Sequence, residues 1–373
     1  GRLRNALVVF QFAVSICLLI GTAVVYRQLQ HLQEAKLGFD QEQVLVLDDT
    51  GVLGERADAF REDLLKLPQV ENVTITSSLP GGADYTHSVN GYYLPGHEGD
   101  LHLMFDLETD ARYVPTLGLE LVAGRNFDPA RASDSTAMLV NEATVRHLGW
   151  AEPLGQEVIS GGGERYRVVG VVKDFHLASL RDQIEPVLMR QDARDFGNVA
   201  LRLSSGDPAA TLDAVRARWE AFDTGQPLAY SFLDEEVERH YAAEQRTGQL
   251  FAIFCGLSIF VACLGLFGLA AFTAQQRTKE VGIRKVLGAS VPQLIALLSK
   301  DFVRLVLVAL LIAAPVAWWG ATRWLEDFAY RVDVSPLLVV AAGVVTLLIA
   351  GLTVGYHALR AATTNPTTSL RSE

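Results

Sequence analysis

The residue types that most often carry chemistry are few and scattered in this chain. His97 and His102, in the run HEGDLH, are the first candidates for metal ligation. A zinc helix needs two histidines at i and i+4, so that both imidazoles leave one face. Here they stand five apart, flanked by Pro95, Gly96 and Gly99, and read as solvated loop residues. The glycine-rich run GGGERYRVVG (Gly161 to Gly170) could cradle a phosphate. No Lys-Ser/Thr follows it, and a strand rather than a helix comes next, so it reads as a hairpin turn. The pattern G-x-x-x-x-G-K-[ST] occurs nowhere, so the chain carries no P-loop ATPase. NVT at Asn72 matches a glycosylation acceptor by pattern only and lies in an expected strand. No Ser/His/Asp grouping has a local signature. The expectation is a protein that is not an enzyme, with no catalytic, cofactor or metal residues.

The composition explains where such a chain works. Half of its 373 residues are hydrophobic, but the average hides two populations. Residues 27–249 hold 20 Lys+Arg against 37 Asp+Glu; the remainder holds 12 against 6. An acidic part is thus embedded in a basic, apolar frame. The acidic part disfavours nucleic acid, because phosphate binding needs Lys/Arg neutralisation. The three cysteines, Cys17, Cys255 and Cys263, all lie in apolar runs, which excludes a disulfide framework for the acidic part. At over 200 residues it can bury a core without staples.

A bilayer core of ~30 Å needs about 20 apolar residues as a helix. Four stretches qualify: residues 6–26, 250–274, 302–321 and 337–359. Orientation follows from Lys/Arg near the span ends. Arg2 and Arg4 precede the first span. Arg277, Lys279, Arg284, Lys285 and Lys300 lie between the second and third, and Arg360 and Arg371 follow the fourth. These segments share one side, the cytoplasm, which puts both termini inside and residues 27–249 outside. Trp318, Trp319, Trp324 and Tyr330 form an interfacial belt at the outer end of span three, a helix that Pro315 should kink.

Between spans one and two, the pattern is α+β. A polar stalk runs from Arg27 to Lys36. Strands are expected at Val44–Asp48, Val70–Ser77, Leu101–Thr109, Met138–Val140, Tyr166–Val172, Val199–Leu203 and Leu228–Leu233. Helices are expected at Arg56–Leu67, at Ala111–Leu117 and at Asp207–Phe222, the last with Asp207 as N-cap and Pro208 at the first position. Glu235–Thr247 is charged and helical and runs on into span two. The fold class is therefore a membrane protein with four transmembrane α-helices and a large α+β extracytoplasmic domain between helices 1 and 2.

QQRTKEVGIRKVLGAS (Gln275 to Ser290) sits where span two meets the cytoplasm. Glu280 and Arg284 stand four apart in the favourable order. Ile283, Val286 and Leu287 make an apolar patch, and Gly288 is a natural helix stop. Ser290 with Gln293 has capping-box spacing for a second helix. The segment reads as a short amphipathic helix with a defined end. Physically it serves equally as an interfacial anchor or as a docking surface. Ala252/Gly256 and Gly351/Gly355 are small-xxx-small pairs that would let helices approach closely, in a dimer face or by chance. No charge lies deep in a span, so no ion or proton path is indicated.

These residues carry a resemblance. QRTKEVGIRKVLGAS is similar to the signature after the second span of FtsX/MacB-like ABC transporter permeases. VVFQFAVSICLLIGTAVVYRQL resembles their first span. GLELVAGRNF, LVNEATVRHLGW and VVGVVKDFHLASL resemble their extracytoplasmic core domain. The resemblance covers nearly the whole chain, in the same order. It implies a first helix over 1–26 and a core domain over 27–249 with porter-like and smaller inserted subdomains. It implies a permease domain over 250–373 with a coupling helix near 275–288. A separate cytoplasmic ABC ATPase would dock on Arg277, Lys279, Glu280, Gly282, Ile283, Arg284, Lys285, Leu287 and Gly288. ATP hydrolysis there would move the extracytoplasmic domain to export or extract a substrate. The same architecture also serves regulators that act on an extracytoplasmic partner such as a cell-wall hydrolase. The resemblance further implies a bacterial inner membrane, a second permease unit as homodimer or intrachain pseudo-dimer, and a periplasmic or outer-membrane partner. GRLRNALVVFQF resembles the start of a second unit, so a C-terminal half of a longer permease is expected.

Overall fold

The computed structural model describes residues 2–34, 37–81, 88–178, 182–191, 197–204, 207–276, 283–284 and 290–363. The chain divides into two compact units, Gly1–Glu34 with Ala243–Glu373, and Ala35–Ala242.

The first unit is helical. Its helices are α1 (Arg2–Glu34), the later part of α6 (Leu233–Gln276), α7 (Val291–Leu325) and α8 (Pro336–Thr363). Each holds a segment long and apolar enough to cross a membrane: Asn5–Leu32, Gln245–Gly268, Phe302–Leu325 and Pro336–Tyr356. Val8, Phe12, Ile16, Ile20 and Val24 recur every four residues on α1 and so share one face. That face packs on Phe302, Val306, Ala309, Ala313 and Ala317 of α7, with Ala342, Ala350 and Val354 of α8. Alanines at these positions let the backbones approach closely, which is the main source of helix cohesion where lipid is as apolar as leucine. The outward faces keep large apolar side chains, such as Phe254, Leu257 and Phe260 on α6. Pro315, expected to kink span three, lies inside α7, which continues to Leu325.

The second unit is an eleven-stranded mixed sheet with short helices. Its strands are β1 (Val44–Asp48), β2 (Val70–Thr76), β3 (Ser88–Leu94), β4 (His97–Thr109), β5 (Leu121–Gly124), β6 (Ala137–Asn141), β7 (Glu157–Ser160), β8 (Arg165–Val172), β9 (Val187–Gln191), β10 (Asn198–Leu203) and β11 (Ala229–Phe232). The order is β11-β1-β10-β2-β4-β3-β7-β8-β6-β9, with β5 on β8. β9 also pairs in parallel with β4, from Phe105↔Val187 to Thr109↔Gln191, so strands β4-β3-β7-β8-β6-β9 close into a ring of six. Closure removes the exposed edges that an open sheet would present. β2 reaches that ring through one residue pair, Thr76↔Thr109.

Two hydrophobic cores result. Helices α2 (Ala57–Leu64) and α5 (Pro208–Ala221) cover β1, β2 and β10. Leu45, Leu47, Val73, Ile75, Val199 and Leu201 pack there against Phe60, Leu64, Val215 and Trp219. Phe60 meets Trp219 edge-on with ring centroids 5.6 Å apart. The second core fills the ring with Tyr92, Met104, Met138, Val140, Val158, Val168 and Leu188.

Local sequence accounts for most element ends. Asp207 accepts a hydrogen bond from Ala209 N at 3.0 Å and Pro208 opens α5. Pro68 disfavours helical geometry at Leu67, and the helix expected to run to Leu67 stops at Leu64. The glycine-rich run is a hairpin turn, with β7 and β8 paired from Glu157↔Arg167 to Ile159↔Arg165. His97 to His102 differs from expectation. It is strand rather than loop, because a turn at Pro95 and Gly96, whose φ is 79°, starts the β3–β4 hairpin there. The short helix α3 (Tyr113–Thr116) lies inside the expected Ala111–Leu117. Helix α4 (Glu142–His147) was not anticipated, although Asn141 is a strong N-cap, accepting from Thr144 N at 2.9 Å.

Candidate functional site

The basic segment after span two is described at two of its positions. Ile283 and Arg284 are helical and exposed, Ile283 at 54 %. Arg277, Lys279, Glu280, Gly282, Lys285, Leu287 and Gly288 lie outside the described residues. The following helix starts as the sequence indicates: the Ser290 N–H donates to Gln293 Oε1 at 3.0 Å, the backbone half of a capping box.

Span two leads to this segment, and it is the least buried of the four spans. Among the described residues it gives the shared membrane core Ala262 and Leu266. Its approach to α1 runs through small and polar residues. Ser15 and Ser258 share a hydrogen bond at 2.8 Å. A Cβ on Gly265 would lie 2.8 Å from Gln11 Oε1, and one on Gly21 would lie 3.2 Å from the Phe251 ring. Two cavities flank that seam. One, of about 310 Å³, is apolar and includes Cys17, Gly21, Phe251 and Gly320 in its lining. The other, of about 620 Å³, is lined by Thr22, Tyr26, Gln30, Gln245 and Gln249, with Ala252 at its rim. At the opposite end of the helix, Leu233 and Val237 are buried in the second unit. The helix is 44 residues long, and the boundary between the two units falls within it.

The small-xxx-small glycines are open among the described residues. A Cβ on Gly256, Gly351 or Gly355 would meet nothing within 4 Å. Close approaches fall at Gly21, Gly248, Gly265 and Gly343, the last 2.8 Å from Leu310. Sequence reasoning also missed Gln28. It sits in the expected polar stalk, yet it is fully buried. Its Nε2 donates to the Tyr330 carbonyl at 2.7 Å and its Oε1 accepts from Val332 N at 2.9 Å. That side chain holds α1 against the segment joining α7 and α8. Nothing in the polar run around it sets Gln28 apart from its neighbours.

The domain contains a buried polar cluster that no sequence motif announced. Arg190 on β9 donates Nε and Nη2 to the two oxygens of Asp106 on β4, each at 2.8 Å. Its Nη2 also reaches Glu108 at 2.8 Å and its Nη1 the Tyr166 hydroxyl at 3.1 Å. Tyr92 and Asn90 on β3 donate to Asp106 Oδ2, each at 2.7 Å. Burial, then the Asp106 charge, push the Tyr92 phenol up, so it stays an O–H donor. Burial opposes the Arg190 charge, but hydrogen bonds to Asp106 outweigh it and hold the guanidinium protonated. The cluster fastens β3, β4, β8 and β9 around the β4–β9 pairing that closes the ring. Each charge in the cluster is met by another side chain of the cluster, which is what a structural fastening requires. Among the described residues, no three His, Cys, Asp or Glu side chains group to hold a metal.

The model of the MacB-like periplasmic core domain matches residues 6–220, and that of the FtsX-like permease C-terminal domain matches residues 252–366. The chain belongs to the FtsX/MacB-like ABC transporter permease family. The permease is 25 % identical over 285 residues to the ABC transporter permease YknZ of Bacillus subtilis (strain 168), covering 71 % of each chain. It is 25 % identical over 350 residues to the pyoverdine export ATP-binding/permease protein PvdT of Pseudomonas savastanoi pv. phaseolicola, which covers 88 % of the permease. It spans about half the length of that relative, 49 %. The solved periplasmic region of MacB from Actinobacillus actinomycetemcomitans is 15 % identical, covering 57 % of this chain and 98 % of that one, with a TM-score of 0.41. The permease is thus a multi-pass membrane protein, with four apolar helices and a MacB-like core domain of mixed sheet between the first and second.

Proposed function

We propose that this permease couples ATP hydrolysis on a separate cytoplasmic ABC ATPase to movement of its extracytoplasmic domain, for export or extraction of a substrate. In this reading the basic segments face the cytoplasm, residues about 27–249 lie outside the inner membrane, and both ends of the chain lie inside. The ATPase docks on the helix over residues 275–288, with Arg277, Lys279, Arg284 and Lys285 supplying charge and Ile283 and Leu287 the apolar contact. The observation that carries the reading is α6: one unbroken helix from Leu233 to Gln276, which ends where the basic segment begins. In this reading a push on the segment reaches the domain along that helix. The cavities beside span two and its sparse packing favour a helix that can shift against α1. The name of PvdT joins ATP binding and permease in one protein, which supports an ATPase partner for a chain without a P-loop. The unpacked glycines Gly256, Gly351 and Gly355, with Ala252, belong to the contact with a second permease unit. A periplasmic or outer-membrane partner would receive the movement.

Arg284→Glu with Ile283→Asp tests the docking. The substituted permease should insert in membranes at the wild-type level but lose co-purification of its ATPase. Unchanged co-purification would remove the docking role.

A further inference from the structure

His102 does not meet His97, its neighbour in the sequence. It meets His147, which ends α4, 45 residues further along. His102 Nδ1 lies 3.3 Å from His147 Nε2, and the rings stand edge to face with centroids 5.3 Å apart. Without an ion the two rings share a long hydrogen bond, one nitrogen donating and the other accepting according to tautomer, so their nitrogens already converge. Their separation equals the ligand–ligand edge of tetrahedral zinc, which for Zn–N bonds of about 2.0–2.1 Å is about 3.3–3.4 Å. The supports on both sides are fixed. His102 is held in β4 opposite Tyr92, whose hydroxyl is tied into the Asp106 cluster. His147 is carried by α4, and Asn141 caps that helix. Asn141 Oδ1 accepts from Thr144 N, from Thr144 Oγ1 at 2.8 Å and from Val187 N at 3.0 Å, which rivets α4 to β9. The pair is reached by solvent, His147 being exposed. Waters can then complete a coordination shell.

We propose that His102 and His147 form a two-imidazole site for a borderline divalent transition metal of the zinc class. Such ions prefer imidazole nitrogen over the carboxylates that dominate this acidic domain. The bound ion clamps α4 to β4, in addition to the Asn141 rivet. The site is independent of the transport reading, since neither residue lies near the membrane spans or the ATPase-docking segment in the sequence. The probe is Zn²⁺ alone, titrated by calorimetry into the full chain in detergent, purified without a polyhistidine tag. The expected result is saturable binding of one ion per chain. His102→Ala and His147→Ala should each weaken it by at least about tenfold, because one remaining imidazole cannot chelate. His97→Ala should leave it unchanged. Zinc should also raise the thermal midpoint of the wild-type chain and leave those of the two single variants where they are. No saturable binding by the wild type, or binding that survives in either His102→Ala or His147→Ala, would overturn the proposal.

Discussion

Replacing Arg190 by Met removes the positive charge from the polar cluster of the six-stranded ring while keeping most of the side chain's length. Asp106 is 2 % exposed and Arg190 12 % at the side chain, so neither can exchange its partner for water. The substitution deletes both arms of the fork on Asp106, the bond to Glu108 and the bond to Tyr166. Asp106 would keep only the Tyr92 and Asn90 donors. Breaking a buried ion pair on one side costs about 3–5 kcal/mol, because the remaining charge is left uncompensated. For a unit of this size each kcal/mol moves the midpoint by about 2–4 °C, so a fall of roughly 10 °C is expected. The second arm is Asp106→Asn with Arg190→Met. With the buried Asp106 charge also gone and only the part-exposed Glu108 carboxylate left, most of the loss should return, and the two substitutions should be strongly non-additive. Pulse proteolysis of the full chain in detergent across a urea series reads both variants. An Arg190→Met chain within about 1 kcal/mol of wild type would refute the argument, as would a double variant as weak as the sum of its singles.

Three other outcomes follow from the packing. Asp134 is held down at about 2 by its hydrogen bonds to Arg125, at 2.6 and 2.7 Å. Its unfolded value is about 3.9, so a depressed carboxylate stabilises above about pH 4 and loses roughly 2 kcal/mol as pH falls to 2. Asp134→Asn should flatten that part of a stability-versus-pH series. Gly38 has φ +83°, and a Cβ there would lie 2.4 Å from the Asp174 carbonyl and 2.6 Å from Phe175 Cα. Both obstacles are backbone, so Gly38→Ala should lower the urea midpoint by more than a typical surface change of about 0.5 kcal/mol. Gln28→Leu should free the segment joining α7 and α8, cost about 1–3 kcal/mol for the groups left unpaired, and expose that segment to limited proteolysis.

The membrane helices were legible because uncharged apolar runs of bilayer length have few alternatives. The start of α7 was legible because Ser290 and Gln293 encode a cap locally. The α+β character and most strands followed from alternation and from turn residues. β3 was hidden because SVNGYYL carries Asn and Gly at its centre, where no alternation shows. Closure of the ring could not be read at all. The β4–β9 pairing joins residues about 80 apart, and nothing local in either strand encodes the partner. The Arg190 cluster and the His102–His147 pair were invisible for the same reason, since each assembles side chains from distant strands and helices. The small-residue pairs show a related limit. Spacing marks which glycines share a helix face but not which face meets a neighbour; of the close approaches, those at Gly21, Gly265 and Gly343 carry no such spacing.

Coupling is tested most directly at Ile283, an exposed position in the basic segment. A photoreactive phenylalanine analogue placed there, in cells that express the ATPase, should cross-link the permease to that ATPase. The yield should change when ATP hydrolysis is blocked. Cross-links to lipid alone, or to no ATPase in either nucleotide state, would contradict the account.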